Sequence, residues 1–354
     1  MSNQQKLGRF RSCFVAVAVV VLVGSLASCG AKKSNTSTGA SPTTGTPPTA
    51  PTTTAPPPVF PLTGLPTGAG PATRPALSIK IDNISDALPQ SGLNQADIVY
   101  EALVEGGLTR LFAVFQSQDA DPVGPIRSAR PVDADLLDQL GGGIFAYSGA
   151  APGEIAPSQD HSGATLISND DGVSAFYRAH GKSAPHNVYA STANLYQAGA
   201  DAGDHSAAPP QLFHYGPATP GTPVTQADVP LGERSSATWH WNTLSGTWDR
   251  DQNGKPDLLE DGSQIDANNV LVMSVPIEGS GVFDVTGVED PLVVVIGQGP
   301  CWLLRDGQLV PGTWSRPATT APTTFTDSTG AQFVFAPGRT FVELEQDSLQ
   351  PSFQ

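Results

Sequence analysis

Ile98-Val99-Tyr100-Glu101-Ala102-Leu103-Val104-Glu105-Gly106-Gly107-Leu108-Thr109-Arg110-Leu111-Phe112-Ala113-Val114-Phe115 is the run whose pattern decides the fold. Residues 97–104 alternate as a strand does: Ile98, Tyr100, Ala102 and Val104 share one face, while Val99, Glu101, Leu103 and Glu105 share the other. Gly106-Gly107 reads as a two-residue turn needing positive φ, and residues 108–117 return as a second strand. On that register Arg110 stands opposite Leu103 and diagonal to Glu101 and Glu105, which predicts one charged cluster on one sheet face.

Downstream, Gly124-Pro125-Ile126-Arg127-Ser128-Ala129-Arg130-Pro131 sets two arginines before a helix. Pro131 suits the first turn, Asp133 and Asp135 favour the positive helix start, and Val132, Leu136, Leu137 and Leu140 form its apolar stripe. Gly141-Gly142-Gly143 ends it. Free helix N–H groups beside guanidinium groups suit a phosphate or carboxylate. The candidate anion-binding set is Arg127, Ser128, Arg130, Arg178, Arg110, Asn187, Asp82 and Asn83. The other reading pairs Arg127 and Arg130 internally with Asp82, Glu101 or Glu105. Asp82 and Asn83 end an apolar strand at 76–81 and are also ordinary turn formers. The candidates for proton transfer are His186, in Pro185-His186-Asn187, with Glu101 and Glu105. His161, His180 and His186 lack a zinc spacing, so no metal site is read from them.

The 354 residues carry a formal charge of −15 and only 14% charged side chains. So acidic a chain repels nucleic acid and anionic lipid surfaces, which excludes nucleic acid as a partner. Residues 1–28 read as a signal peptide: Lys6, Arg9 and Arg11, then an apolar stretch at 14–26 too short for a comfortable span. Losing those three cations and no acids takes the formal charge to −18. Leu26-Ala27-Ser28-Cys29 resembles the lipobox of bacterial lipoproteins. The resemblance implies cleavage before Cys29 and a diacylglyceryl, palmitate-type anchor on its thiol. Cys13 leaves with the signal, so Cys301 is the one remaining thiol, expected buried and inert. Residues 29–58 are rich in Thr, Pro and Ser and read as a disordered tether; its 29 residues after Cys29 reach at most ~100 Å.

The folded remainder divides into an N-terminal α/β domain at 59–205, a linker at 206–232 and a C-terminal β-rich domain at 233–346. The fold class expected is α+β, a mixed α/β domain followed by a mostly antiparallel β domain. Short apolar runs at 238–241, 270–275, 292–296, 302–304, 308–310, 332–335 and 341–344 support the second part, with Asp306-Gly307 as a hairpin signal. Residues 249–260 match the calcium-loop pattern through Asp249, Asp251, Asn253, Asp257 and Glu260. Pro256 and the strand-like approach argue for an acidic hairpin instead, so no cofactor is assigned.

Several motifs together resemble the YerB-like lipoproteins of Gram-positive bacteria. They include Ile81-Asp82-Asn83, Gln90-Ser91-Gly92-Leu93-Asn94-Gln95-Ala96-Asp97, Glu105 to Arg110, Gly124 to Pro131 and Pro185-His186-Asn187. Asn268-Asn269-Val270, Gly297-Gln298-Gly299, Gly312-Thr313-Trp314 and Pro337-Gly338-Arg339 continue the match in order. The resemblance implies two adjoining domains of unknown function behind a lipoprotein signal, and it supplies no catalytic residues. One segment, a strand followed by a Ser/Arg loop and a helix, also resembles wall-polymer transferases of the LytR–CpsA–Psr type. The expected role is a lipid-anchored, extracytoplasmic cell-envelope protein that binds a wall component or another envelope protein. The alternative is a transferase or hydrolase acting on an anionic, phosphate-bearing wall or lipid-linked substrate.

Overall fold

The computed structural model describes residues 57–354 apart from 69, 152, 155–162 and 284–286. The signal segment, Cys29, most of the tether and His161 lie outside the described residues. No described helix is long and apolar enough to cross a membrane.

Strands dominate. In chain order they are β1 (Leu77–Asp82), β2 (Ile98–Leu103), β3 (Thr109–Phe115), β4 (Ile144–Tyr147), β5 (Thr165–Ser168), β6 (Phe176–Arg178) and β7 (Val188–Ala190). There follow β8 (Thr222–Pro223), β9 (Gln226–Gly232), β10 (Ser235–Asn242), β11 (Thr247–Gln252), β12 (Lys255–Pro256), β13 (Asp266–Ala267) and β14 (Asn269–Val275). The last are β15 (Ile277–Phe283), β16 (Glu289–Val293), β17 (Gly297–Arg305), β18 (Gln308–Arg316), β19 (Thr324–Asp327), β20 (Thr340–Gln346) and β21 (Ser352–Phe353). The α-helices among the described residues are α1 (Val132–Leu140) and α2 (Thr192–Asp201). The expected α+β class is therefore corrected to a nearly all-β fold. With 37 glycines and 33 prolines punctuating short apolar runs, few segments stay unbroken long enough for a helix.

One large sheet runs β19-β18-β17-β14-β20-β2-β3-β1-β4-β5, with β8 beside β18. It is mixed: β2 lies parallel to β20 and β20 parallel to β14, whereas β2, β3 and β1 pair antiparallel. Strands from 59–205 and from 233–346 thus share one ladder, and the C-terminal part is not purely antiparallel. The reason is legible in burial. Every residue of β3 and β14 is buried, so each strand needs cover on both faces, as interior parallel strands do. On one face Tyr100, Phe112, Leu271 and Val342 pack with Leu136 and Leu137 of α1. On the other, Val99, Leu111, Val270 and Phe341 pack with Leu195 of α2 and with Val229 and Trp239 of a second, smaller sheet ordered β12-β11-β10-β9-β21.

The decisive hairpin forms, one register step from expectation. Arg110 faces Ala102, and Thr109 faces Leu103. Residues 105–107 make a 3₁₀ turn with Gly106 and Gly107 both at φ 71°, and Val104 N–H donates to Leu108 O. That longer connection absorbs the residue which a two-residue turn would have left in the strand. At Asp306-Gly307 the tight hairpin forms as read, with Arg305 paired to Gln308. Cys301 is buried, and burial pushes its thiol up to about 12.

Candidate functional site

The arginine loop, residues 124–131, threads between β1, β7 and β4. Asp82 N–H donates to Pro125 O, Ile126 N–H to Val188 O, Arg127 N–H to Lys80 O and Ser148 N–H to Arg127 O. Ile126 and Ala129 point inward and are fully buried. The opposite orientation leaves Arg127 and Ser128 half-buried. Gly149 closes over Ser128: at φ 90° a side chain there would meet Ser128 Oγ at 2.8 Å.

The expected gathering of Arg110, Arg127, Arg130 and Arg178 in one open hollow is not what the loop builds. Arg130 is 5% exposed and saturated. Its Nε and Nη2 donate to Glu105 at 2.9 and 2.5 Å, Nη1 lies 3.1 Å from Glu154 Oε1, and Nε lies 3.5 Å from Asp290 Oδ1. The helix start is occupied as well, because Asp133 Oδ2 accepts the Arg130 N–H at 2.7 Å while its Oδ1 pairs with buried Lys80 at 2.6 Å. Here the internal-pairing alternative describes the geometry, since burying a guanidinium requires such partners. Burial opposes ionisation of Glu105, yet Arg110 and Arg130 hold its carboxyl down to about 2. Burial, reinforced by a hydrogen bond with Asp290, pushes Glu154 up to about 8 against the pull of Arg130.

Glu101 is sealed away from any site. It accepts from Thr109 Oγ1 at 2.6 Å, from Asn83 Nδ2 at 3.0 Å and from Arg250. Arg250, fully buried on β11, also pairs with Asp257, and its Nε lies 3.6 Å from Glu343 Oε1. Asn83 is equally committed: its amide also donates to Thr109 Oγ1 and its oxygen accepts from Gln90. Glu101 and Glu105 are therefore corrected from proton-transfer candidates to structural counter-ions.

What stays accessible is smaller. Buried Asp82 Oδ2 lies 2.7 Å from His186 Nδ1 and 3.3 Å from Arg127 Nε. The Arg127 side chain is 24% exposed and that of His186 15%, whereas Asp82 is 1% exposed. Arg110 sits behind them, donating to Ser128 O at 3.2 Å and Glu105 at 3.1 Å, and its buried Nε has no partner among the described residues. Burial, with the charges of Arg130 and Arg127, pushes the Arg110 guanidinium down to about 10. Exposed Arg178 donates to Asn187 Oδ1 at 2.7 Å, bracing its own β6–β7 hairpin. Asp82, Arg127 and His186 thus form a three-residue constellation: a carboxylate fixing an imidazole and a guanidinium, with the outer imidazole nitrogen left for a ligand or proton.

Sequence reasoning missed Lys80, Glu154, Asp290 and Arg250, and it placed Asp133 at the helix start without its pairing to Lys80. Lys80 had a signal, a lone cation between Ile79 and Ile81 in a short strand, which demands a buried partner. The calcium-like motif splits up: Asn242 Nδ2 donates to Asp249, Asp251 lies near His240, Asp257 pairs with Arg250, and Glu260 accepts from Ser91 and Tyr189. Its backbone is the β11–β12 hairpin, with Asn253 at φ 51°.

The family described as "Protein of unknown function (DUF3048) N-terminal domain" matches residues 62–205, and the corresponding C-terminal domain matches 227–342. A Bacillus subtilis (strain 168) protein with the name "Putative lipoprotein YerB" is 30% identical over 296 residues, covering 81% of this chain and 86% of the relative. The crystal structure of YerB protein from Bacillus subtilis has the same fold, with a TM-score of 0.71 at 24% identity over 83% of this chain and 99% of that one.

Proposed function

The chain belongs to the YerB-like DUF3048 family, and from that premise we propose that it is a lipid-anchored protein of the outer membrane face that binds an anionic envelope component at Asp82, Arg127 and His186. Anchoring would use Cys29, with residues 30–58 as the spacer. The observation that carries the binding reading is an accessible guanidinium and imidazole set over one buried carboxylate. Arg127 shares a single carboxylate with His186, and the unpartnered Arg110 Nε lies behind it, its guanidinium already depressed by burial and neighbouring cations. An incoming phosphate or carboxylate relieves that repulsion and gains charge-assisted hydrogen bonds. A wall polymer or an envelope protein bearing such groups fits equally.

The second reading is an enzyme, a transferase or hydrolase, and it rests on the Asp82–His186 contact, which orients an imidazole as a general base. Calorimetric titration with inorganic pyrophosphate tests the first. Saturable binding is expected, weakened at least about tenfold by Arg127→Ala; binding unchanged in that variant contradicts it. Turnover of a nitrophenyl phosphodiester abolished by His186→Gln would favour the second.

A further inference from the structure

Away from this constellation, a cleft of about 530 Å3 opens between the turn at 85–89 and the β11–β12 hairpin. Small-ligand sites span ~300–1,000 Å3. Leu88 and Pro89 form one apolar wall, Pro256 and Leu258 the other, and Asn253 and Lys255 stand at the opening. Leu258 leaves 46% of its surface in water, although Val229, Leu231, Trp239 and Trp248 of the smaller sheet are buried. The Lys255 side chain makes no hydrogen bond or ion pair among the described residues. The carboxylate lining the cleft, Asp257, is buried and pairs with Arg250 behind it. In a chain of formal charge −15, the cleft therefore offers an unpaired cation beside exposed aliphatic surface.

We propose that this cleft binds a single-chain amphiphile, its aliphatic body against Leu88, Pro89, Pro256 and Leu258 and its anionic head on Lys255. None of Asp82, Arg127 or His186 lines it, so the cleft is a place distinct from the anion site. The apolar walls set chain-length preference, and Lys255 sets the sign of the head group.

Titration of the full chain with octanoate, decanoate and octylammonium, followed by NMR, tests this. Octanoate is expected to saturate at millimolar concentration, with a gain of about three- to fourfold for each added methylene. Octylammonium is expected to bind at least about tenfold more weakly. Lys255→Glu should cost octanoate about tenfold and invert that preference, and Leu258→Asn should weaken both probes. Both side chains are at the surface, so the melting midpoint should stay within about 2 °C and pyrophosphate binding should be unchanged. Equal binding of the two head groups, indifference to Lys255→Glu, or no saturation by octanoate would overturn the proposal.

Discussion

Arg250 and Arg127 are the same residue type in opposite settings. Arg250 is fully buried, faces Glu101, Asp257 and Glu343, and lies over the rings of Trp239 and Phe341. Burial opposes its charge, but the three carboxyls more than restore it. Arg127 keeps a quarter of its side chain in water and shares one carboxylate with a histidine. The difference teaches that carboxylates per guanidinium, together with exposure, separate a rivet from a site. Arg130 falls with Arg250, and Arg110 falls between the two.

The strongest way to break that division is Arg250→Ala. It strands Glu101, Asp257 and Glu343 between the two sheets, and denaturant unfolding should show a loss of about 4–5 kcal/mol. A loss below about 1 kcal/mol would remove the rivet reading. Arg130→Ala leaves Glu105, Glu154 and Asp290 facing one another and should cost on the order of 3 kcal/mol, less than Arg250→Ala because Glu105 can turn to water.

A pH series sharpens the contrast. Glu345 is buried with both oxygens unpartnered among the described residues, and burial pushes its carboxyl up to about 8, as it does Glu154. A carboxyl raised in the folded state binds its proton more tightly there, so these two groups favour folding below about pH 4.5. They lose that contribution as pH rises toward about 8. Glu105, held down to about 2, acts in the opposite sense: its contribution is present above about pH 4.5 and disappears toward pH 2. Glu345→Gln should therefore raise stability at pH 8.5 by about 1 kcal/mol or more and change little at pH 4.5. Arg127→Ala and His186→Gln each leave buried Asp82 with one of its two partners, and each should cost about 1–2 kcal/mol in urea melts at pH 7, the smallest losses among these variants.

The period-two alternation of 97–104 and the apolar run at 76–81 made β1 to β3 legible, and α1 was marked by its stripe and terminal glycines. The ladder joining β2 to β20 was not legible, because pairing between strands more than two hundred residues apart leaves no local pattern. Of the site, His186, Arg127 and Asp82 were all named from residue type and loop context. Arg110, Arg130 and Glu101 were named too, but whether a charge is sealed depends on partners such as Asp290 and Arg250 from distant segments. Nothing in the residues flanking those partners marks them as buried.

The most direct measurement follows the guanidinium Nε–H resonances of all arginines while inorganic pyrophosphate is added. The account predicts that the Arg127 signal shifts with the His186 ring signals, whereas those of Arg130 and Arg250 stay in place and exchange slowly with solvent. Shifts at Arg130 or Arg250 with Arg127 unmoved would contradict it.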